Sequence, residues 1–390
     1  MSRAFRVAQM GDPERPVDDV VTPAGRHGVI VRRGAMPMPT DTANEEKRVD
    51  LVFEGGGVKG IALVGAFSVL EEHGFETQNV AGTSAGAIVG SLVAAGYSGK
   101  ELFDLLRETP FSSFQDEAWE DKIPGIGVPI SILKDHGIYE GKVFHDWIRA
   151  RLAEKGISGF GDLKVAGEDD PRWRYRLQVV VSDVTHHQLL LLPRDAKVLG
   201  EDPDGLEVAD AVRMSMGIPI FFEPYTVKVG GEEVTIVDGG MLSNFPVWVF
   251  DSDGVPDWPT FGLKLVDPEP KQVAPGELPD VPVQHSAMKD LIRYLLGLVG
   301  TMTDAHDKIY LERDSFVRTI TIPNLGVKAT EFDLSEATSE SLYASGQVAA
   351  STFLETWDFE AYKAAFRSGT TQPTRREAIT SRMEATASGM

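Results

Sequence analysis

The sequence predicts an α/β protein built on a mostly parallel central sheet, and three observations predict it. Residues 49–53 form a short β-rich run that ends in Gly55-Gly56-Gly57 and leads into an apolar, helix-like stretch over 58–73. Residues 77–81 repeat the pattern, ending at Gly82 and passing into a small-residue helix over 85–95. Strand and helix alternating in this way open a parallel sheet with covering helices. Further strand-like runs at 175–182, 188–192, 225–229, 234–237 and 261–266 are interspersed with helical patterns at 141–155, 207–215, 285–313 and 334–365, enough to continue one large domain.

The 390 residues suit one large α/β domain or two modest ones. Residues 1–47 are rich in Pro, Asp, Arg and Thr, with one apolar patch at Val29-Ile30-Val31, and read as a polar N-terminal extension. The main domain is expected over 48–366, followed by a flexible tail over 367–390. Within it, 267–282 carries five prolines and several acids and reads as an exposed loop.

Hydrophobic residues make up 42% and charged residues 25% of the chain, so a sizeable core needs no covalent staples. There is no cysteine, which excludes disulfides, thiolate metal sites and cysteine nucleophiles. A formal net charge of −21 repels phosphate backbones, so nucleic acid is not an expected partner. The same charge disfavours electrostatic docking on anionic membranes. No apolar run reaches the roughly 18 residues of a membrane span, and no secretory apolar core marks the N-terminus. A cytoplasmic protein is expected, with at most peripheral contact at a membrane. No metal or cofactor is expected, and the sequence carries no signal for oligomeric state.

Three glycine-marked turns each follow a predicted strand: Gly55-Gly56-Gly57-Val58-Lys59-Gly60, Gly82-Thr83-Ser84-Ala85-Gly86, and Asp238-Gly239-Gly240. Ligands of open α/β sheets sit beyond the carboxyl ends of the strands, so three parallel strands would bring the three turns to one edge. Gly-x-Ser-x-Gly between strand and helix is a nucleophile elbow, in which the glycines allow a strained turn that holds the Ser84 hydroxyl clear of the backbone. The motif alone is a weak signal; its place at a strand–turn–helix junction, and at a helix N-terminus favouring negative charge, strengthens it. The triple glycine can turn backbone N–H groups toward an oxyanion. Lys59 could steady that loop, add positive potential, or be an ordinary solvated lysine. A serine needs a base, and Asp238 is the best-placed carboxylate, although a surface Asp-Gly hairpin turn explains it equally well. None of the eight histidines has a flanking pattern that marks a triad member.

The three blocks, in this order, resemble the patatin-like phospholipase family. The resemblance extends to Gly137-Ile138-Tyr139-Glu140-Gly141, Ser182-Asp183-Val184, Arg213-x-Ser215-x-x-x-Pro219 and Asn244-x-Pro246, and covers about residues 49–365. It implies a three-layer fold with helices on both faces of a mostly parallel sheet. It also implies a Ser84–Asp238 dyad without histidine, and an oxyanion hole lined by Gly55, Gly56 and Gly57. Lys59, Gly60, Gly82, Gly86, Gly239 and Gly240 would support the motifs. The implied activity is hydrolysis of acyl esters of phospholipids, lysophospholipids or neutral lipids, with a lipid substrate and transient contact with a membrane or micelle surface. Glu54 departs from the Asp or Ser of many relatives.

Two stretches are expected to shape substrate choice. Residues 111–138, with Phe111, Phe114, Trp119 and Ile123, read as a mobile apolar cap or as core. The helix around Leu291, Ile292 and Leu295 reads as a core face before a membrane face. Three rivals remain. Gly55-x-Gly57-x-x-Gly60 also fits a dinucleotide fingerprint, but the next strand ends in Gly82-Thr83-Ser84 where an acid is wanted. An α/β-hydrolase triad would need His285 or His306 near Ser84. A lipid-binding signalling module with a weak dyad is the third.

Overall fold

A computed structural model describes residues 47–109, 111–114, 137–252, 254–267, 313–327, 331 and 334–367, all within the compact unit that begins at Glu46. The extension over 1–47 and the tail over 367–390 lie outside the described residues, apart from two. Lys47 opens the first strand, and Arg367 is buried, donating to the Tyr362 hydroxyl and to Asp251.

The order is β1 (Lys47–Phe53), α1 (Gly60–Glu72), β2 (Phe75–Gly82), α2 (Ala85–Ala94), α3 (Gly99–Glu108), β3 (Gly137–Tyr139), α4 (Lys142–Glu154), β4 (Leu177–Asp183), β5 (Gln188–Leu192), α5 (Val208–Ser215), β6 (Ile220–Phe222), β7 (Tyr225–Val229), β8 (Glu232–Asp238), β9 (Thr260–Val266), α6 (Arg313–Val317), β10 (Thr319–Pro323), α7 (Glu336–Leu354) and α8 (Phe359–Phe366). The main sheet runs β10-β9-β1-β2-β4-β8-β7, with β5 also on β4. Strands β10, β9, β1, β2 and β4 are mutually parallel, whereas β5 and β8 run antiparallel to β4, and β7 to β8.

Asp50 to Phe53 in β1 are buried on both faces, as a central parallel strand requires. Leu51 and Phe53 enter the main core with α1, α2 and α7, while Val52 joins Ala81, Val180 and Leu191 on the other face. Among the described residues that second face is covered by the irregular stretch 245–250 through Phe245, Val247, Val249 and Phe250. Helix α1 lies between sheet and α7, its residues from Gly60 to Leu70 all buried. The two helix backbones touch: a Cβ on Gly65 would overlap the Tyr343 carbonyl, and one on Gly346 the Ala62 carbonyl.

Helix α3 and strands β3, β6 and β10 lie outside the strands and helices expected from the sequence, as does α6 beyond Arg313. Helix α3 begins with a capping box, in which Ser98 Oγ accepts from the Glu101 N–H at 3.3 Å and Glu101 accepts from the Ser98 N–H at 2.8 Å. Strand β10 adds a parallel edge to the sheet. The single helix expected over 334–365 is two helices, because Asp358 Oδ1 accepts from the Ala361 N–H at 2.8 Å and caps a new start. The helix expected over 285–313 and the loop over 267–282 lie outside the described residues, except for Asp267 and Arg313. No described helix is long and apolar enough to cross a membrane.

The third of the three strands expected to be parallel runs the other way. Strand β8, which ends in Asp238, is not parallel to β1 and β2, yet its end still reaches their carboxyl edge. Val179 of β4 pairs with Gly82 of β2 on one side and Leu192 of β5 on the other. Val181, two residues on, pairs with Leu190 of β5 and with Asp238. Strands β2 and β8 therefore occupy the same side of β4, end to end, from opposite directions. Asp238 stands two residues, about 7 Å along the strand, beyond Gly82.

Candidate active site

Ser84 stands between β2 and α2 with φ 53° and ψ −123°, a left-handed conformation costing a residue with a Cβ on the order of 1–3 kcal/mol. The strain persists because the surroundings leave no alternative. A Cβ on Gly82 would overlap the Gly86 carbonyl, and one on Gly86 would overlap the Phe53 carbonyl and stand 2.6 Å from that of Glu54. The end of β1, the elbow and α2 thus pack backbone against backbone. The Ser84 N–H donates to Ser215 Oγ at 2.9 Å, and that hydroxyl donates to the Val180 carbonyl at 2.7 Å. Thr83 Oγ1 donates to the Ser243 carbonyl at 3.0 Å.

The triple glycine lies against the elbow: a Cβ on Gly55 would be 3.2 Å from Ser84 Cβ. Its three members are not equivalent. The Gly55 N–H is already engaged, donating to the Asn244 carbonyl at 3.0 Å, and a Cβ there would overlap Asn244 Oδ1. The N–H groups of Gly56 and Gly57 have no acceptor among the described residues. Gly57 has φ 60°, which suits glycine. A Cβ on Gly60 would meet Val89 and Ala85 at 3.6 and 3.7 Å, ordinary contact distances. Behind the loop, buried Glu54 pairs with Lys264 and accepts from the Leu265 N–H at 2.5 Å. The Lys59 ammonium makes no ion pair or hydrogen bond among the described residues. It sits at the N-terminal end of α1, where the helix dipole disfavours a cation, and so leaves positive potential at the loop.

Asp238 is 6% exposed. Its N–H donates to the Gly217 carbonyl at 2.9 Å, and Oδ1 accepts from the Gly240 N–H at 2.7 Å. Oδ2 is buried with no hydrogen-bond partner among the described residues. Burial pushes the carboxyl up to about 6; the Gly240 amide and then Ser84 pull it back. The pair nonetheless makes no hydrogen bond of standard geometry, as is common before substrate binds. The hairpin reading of Asp238 fails, because the β7–β8 turn is at Gly230-Gly231. Gly239 is needed for close approach, since its Cβ would overlap the Val180 carbonyl; a Cβ on Gly240 would be 3.0 Å from both Asp238 Oδ1 and Asn244 Oδ1.

In the sequence Ser215 and Asn244 stand only within stretches that resemble the family, and as ordinary polar residues they carry no local signal of what they hold. Among the described residues, no histidine bonds to Ser84 or Asp238: His186 pairs with Asp183 at 2.7 Å, and His145 with Asp210 at 2.7 Å. His285 and His306 lie outside the described residues, as does most of the expected cap. Phe114 is core, edge-on to Phe144 at 5.3 Å. His145, Glu207 and Asp210 bring donor atoms within 4.8 Å of one another, but they are already engaged, Glu207 by Arg149 at 2.7 Å.

A sequence profile described as Patatin-like phospholipase matches residues 51–251. The chain belongs to the patatin-like phospholipase family. Within reach of that family, the uncharacterized protein YqhO of Bacillus subtilis is 36% identical over 315 residues, covering 80% of this chain and 99% of that protein. A protein named Lysophospholipase NTE1 from Lodderomyces elongisporus is 38% identical over 71 residues, 18% of this chain and only 5% of that protein. Among solved structures, VipD from Legionella pneumophila aligns with a TM-score of 0.45 at 18% identity, covering 80% of this chain and 67% of that one. The expected fold class holds: a mixed α/β structure with a mostly parallel central sheet. Membership of the patatin-like phospholipase family supports lipid hydrolysis as the activity.

Proposed function

We propose that the protein is a serine lipid acyl hydrolase of phospholipase A or lysophospholipase type, acting through a Ser84–Asp238 dyad and an acyl-enzyme. The observation that carries this reading is the end-to-end meeting of β2 and β8 on β4, which sets a strained serine beside a buried, half-partnered carboxylate. Asp238 takes the proton as Ser84 Oγ attacks the ester carbonyl, and the carbonyl oxygen gains the negative charge. The free amides of Gly56 and Gly57 face that charge; one such donor is worth roughly 2.7–4 kcal/mol in a comparable hydrolase. Collapse expels the alcohol, which receives the proton from Asp238. Water, activated in turn by Asp238, then frees the fatty acid. A carboxylate that titrates near 6 is a better base than an ordinary aspartate and is still ionised at neutral pH.

The lipid substrate would be met at a membrane or micelle surface, by apolar contact rather than charge in a chain of −21. Purified protein incubated with phospholipid and lysophospholipid vesicles is expected to release free fatty acid, and Ser84→Ala is not. Equal release by the two proteins would refute the reading. The base has its own signature. Protonation of Asp238 removes it, so kcat/KM is expected to fall tenfold per pH unit below about 6 and to level off above. A profile flat from pH 5 to 8 would take Asp238 out of the mechanism.

A further inference from the structure

We infer that Asn244 is a positioning residue for the oxyanion site: its carboxamide sets the direction in which the Gly56 amide points. The inference rests on the Ser84–Asp238 reading and deepens it. Asn244 holds the whole Gly55 backbone. Its carbonyl accepts from the Gly55 N–H at 3.0 Å, and its Nδ2 donates to the Gly55 carbonyl at 3.0 Å. The second bond matters more. The Gly55 carbonyl and the Gly56 N–H belong to one planar trans peptide and point in opposite directions. Anchoring the carbonyl on Asn244 therefore aims the Gly56 N–H away from Asn244, with no other acceptor among the described residues. Three successive glycines offer little resistance to rotation of that peptide plane, so the anchor must come from outside the loop.

Asn244 is itself held firmly. The Ser243 N–H donates to the Gly239 carbonyl at 2.9 Å, and the Ser243 carbonyl accepts from Thr83 of the elbow. Phe245 is buried in the second core. Asn244 Oδ1 lies against Gly240, whose N–H holds Asp238 Oδ1. One short segment thus keeps base, elbow and oxyanion loop in register.

The test compares full-length wild type with Asn244→Leu, similar in size but without the donor, and Asn244→Ser. Each variant is expected to lose about 100-fold in kcat with KM within about twofold. Affinity for a fatty-acyl trifluoromethyl ketone, whose adduct with a serine carries an oxyanion, should fall by the same factor. The pH inflection near 6 should stay in place, and the melting temperature should fall by no more than a few degrees, the cost of one unpartnered buried carbonyl. Full kcat in either folded variant, a loss expressed in KM, or unchanged ketone affinity would overturn the inference. A wild type inactive on esters, or an active Ser84→Ala, would instead remove the dyad reading and the inference with it.

Discussion

Asp238→Asn is expected to lower kcat by about 10^4-fold, the upper end of what a general base contributes. Among the described residues no other side chain is placed to take the Ser84 proton, and an amide cannot. The variant should remain folded. Burial raises the Asp238 carboxyl from 3.8 to about 6, so the folded chain holds that proton more tightly than the unfolded chain does. The resulting deficit in stability is absent below pH 3.8, grows between the two values, and is complete above pH 6, at about 3 kcal/mol. Asparagine carries no charge and removes that deficit, less whatever its unpartnered Nδ2 costs. At pH 8 the variant should melt no lower than wild type while hydrolysing almost nothing. Ester hydrolysis and calorimetry on one preparation check both; a dead variant that also melts well below wild type would show only that the fold was lost.

Gly86→Ala is expected to act in the opposite way, through the fold. One methyl group there would lie inside the Phe53 carbonyl and against that of Glu54, and neither can move without shifting the end of β1 and the oxyanion loop that follows. Overpacking a core costs about 1–3 kcal/mol, and contact with backbone on a central strand belongs at the top of that range. Urea unfolding should show the loss, and a fluorophosphonate should label Ser84 far more slowly in whatever fraction stays folded. Stability within about 0.5 kcal/mol of wild type would mean that α2 can slide away from β1 freely, against the packing described.

The parts of this site that were legible in the sequence are those where chemistry demands a residue type. Glycine is needed at 82 and 86 because backbones touch there, and at 57 because φ is positive; such demands leave marks in one dimension. The direction of β8 left none. Whether a strand runs with or against its neighbour depends on pairing partners distant in the chain, here Val181 and Asp238, and the run 234–237 reads the same either way. Ser215 and Asn244 were equally silent, since a serine in a helix and an asparagine in a loop have many ordinary uses. Donor availability was hidden too: Gly55 looks like its two neighbours until the bond to Asn244 is known. By contrast, the starts of α3 and α8 carried readable caps, Ser98 with Glu101 and Asp358, and could have been read from the letters alone.

Because β2 and β8 meet tip to tip on β4, the distance between nucleophile and base is a matter of counting residues. Adding or removing residues at the Gly230-Gly231 tip alters only the far end of the hairpin. A single residue inserted between 232 and 238 would turn the carboxylate to the opposite side of the sheet, and two would carry it a full pleat too far. Such a chain could change its outer loop widely over evolution, yet has almost no latitude in the length of the strand behind it.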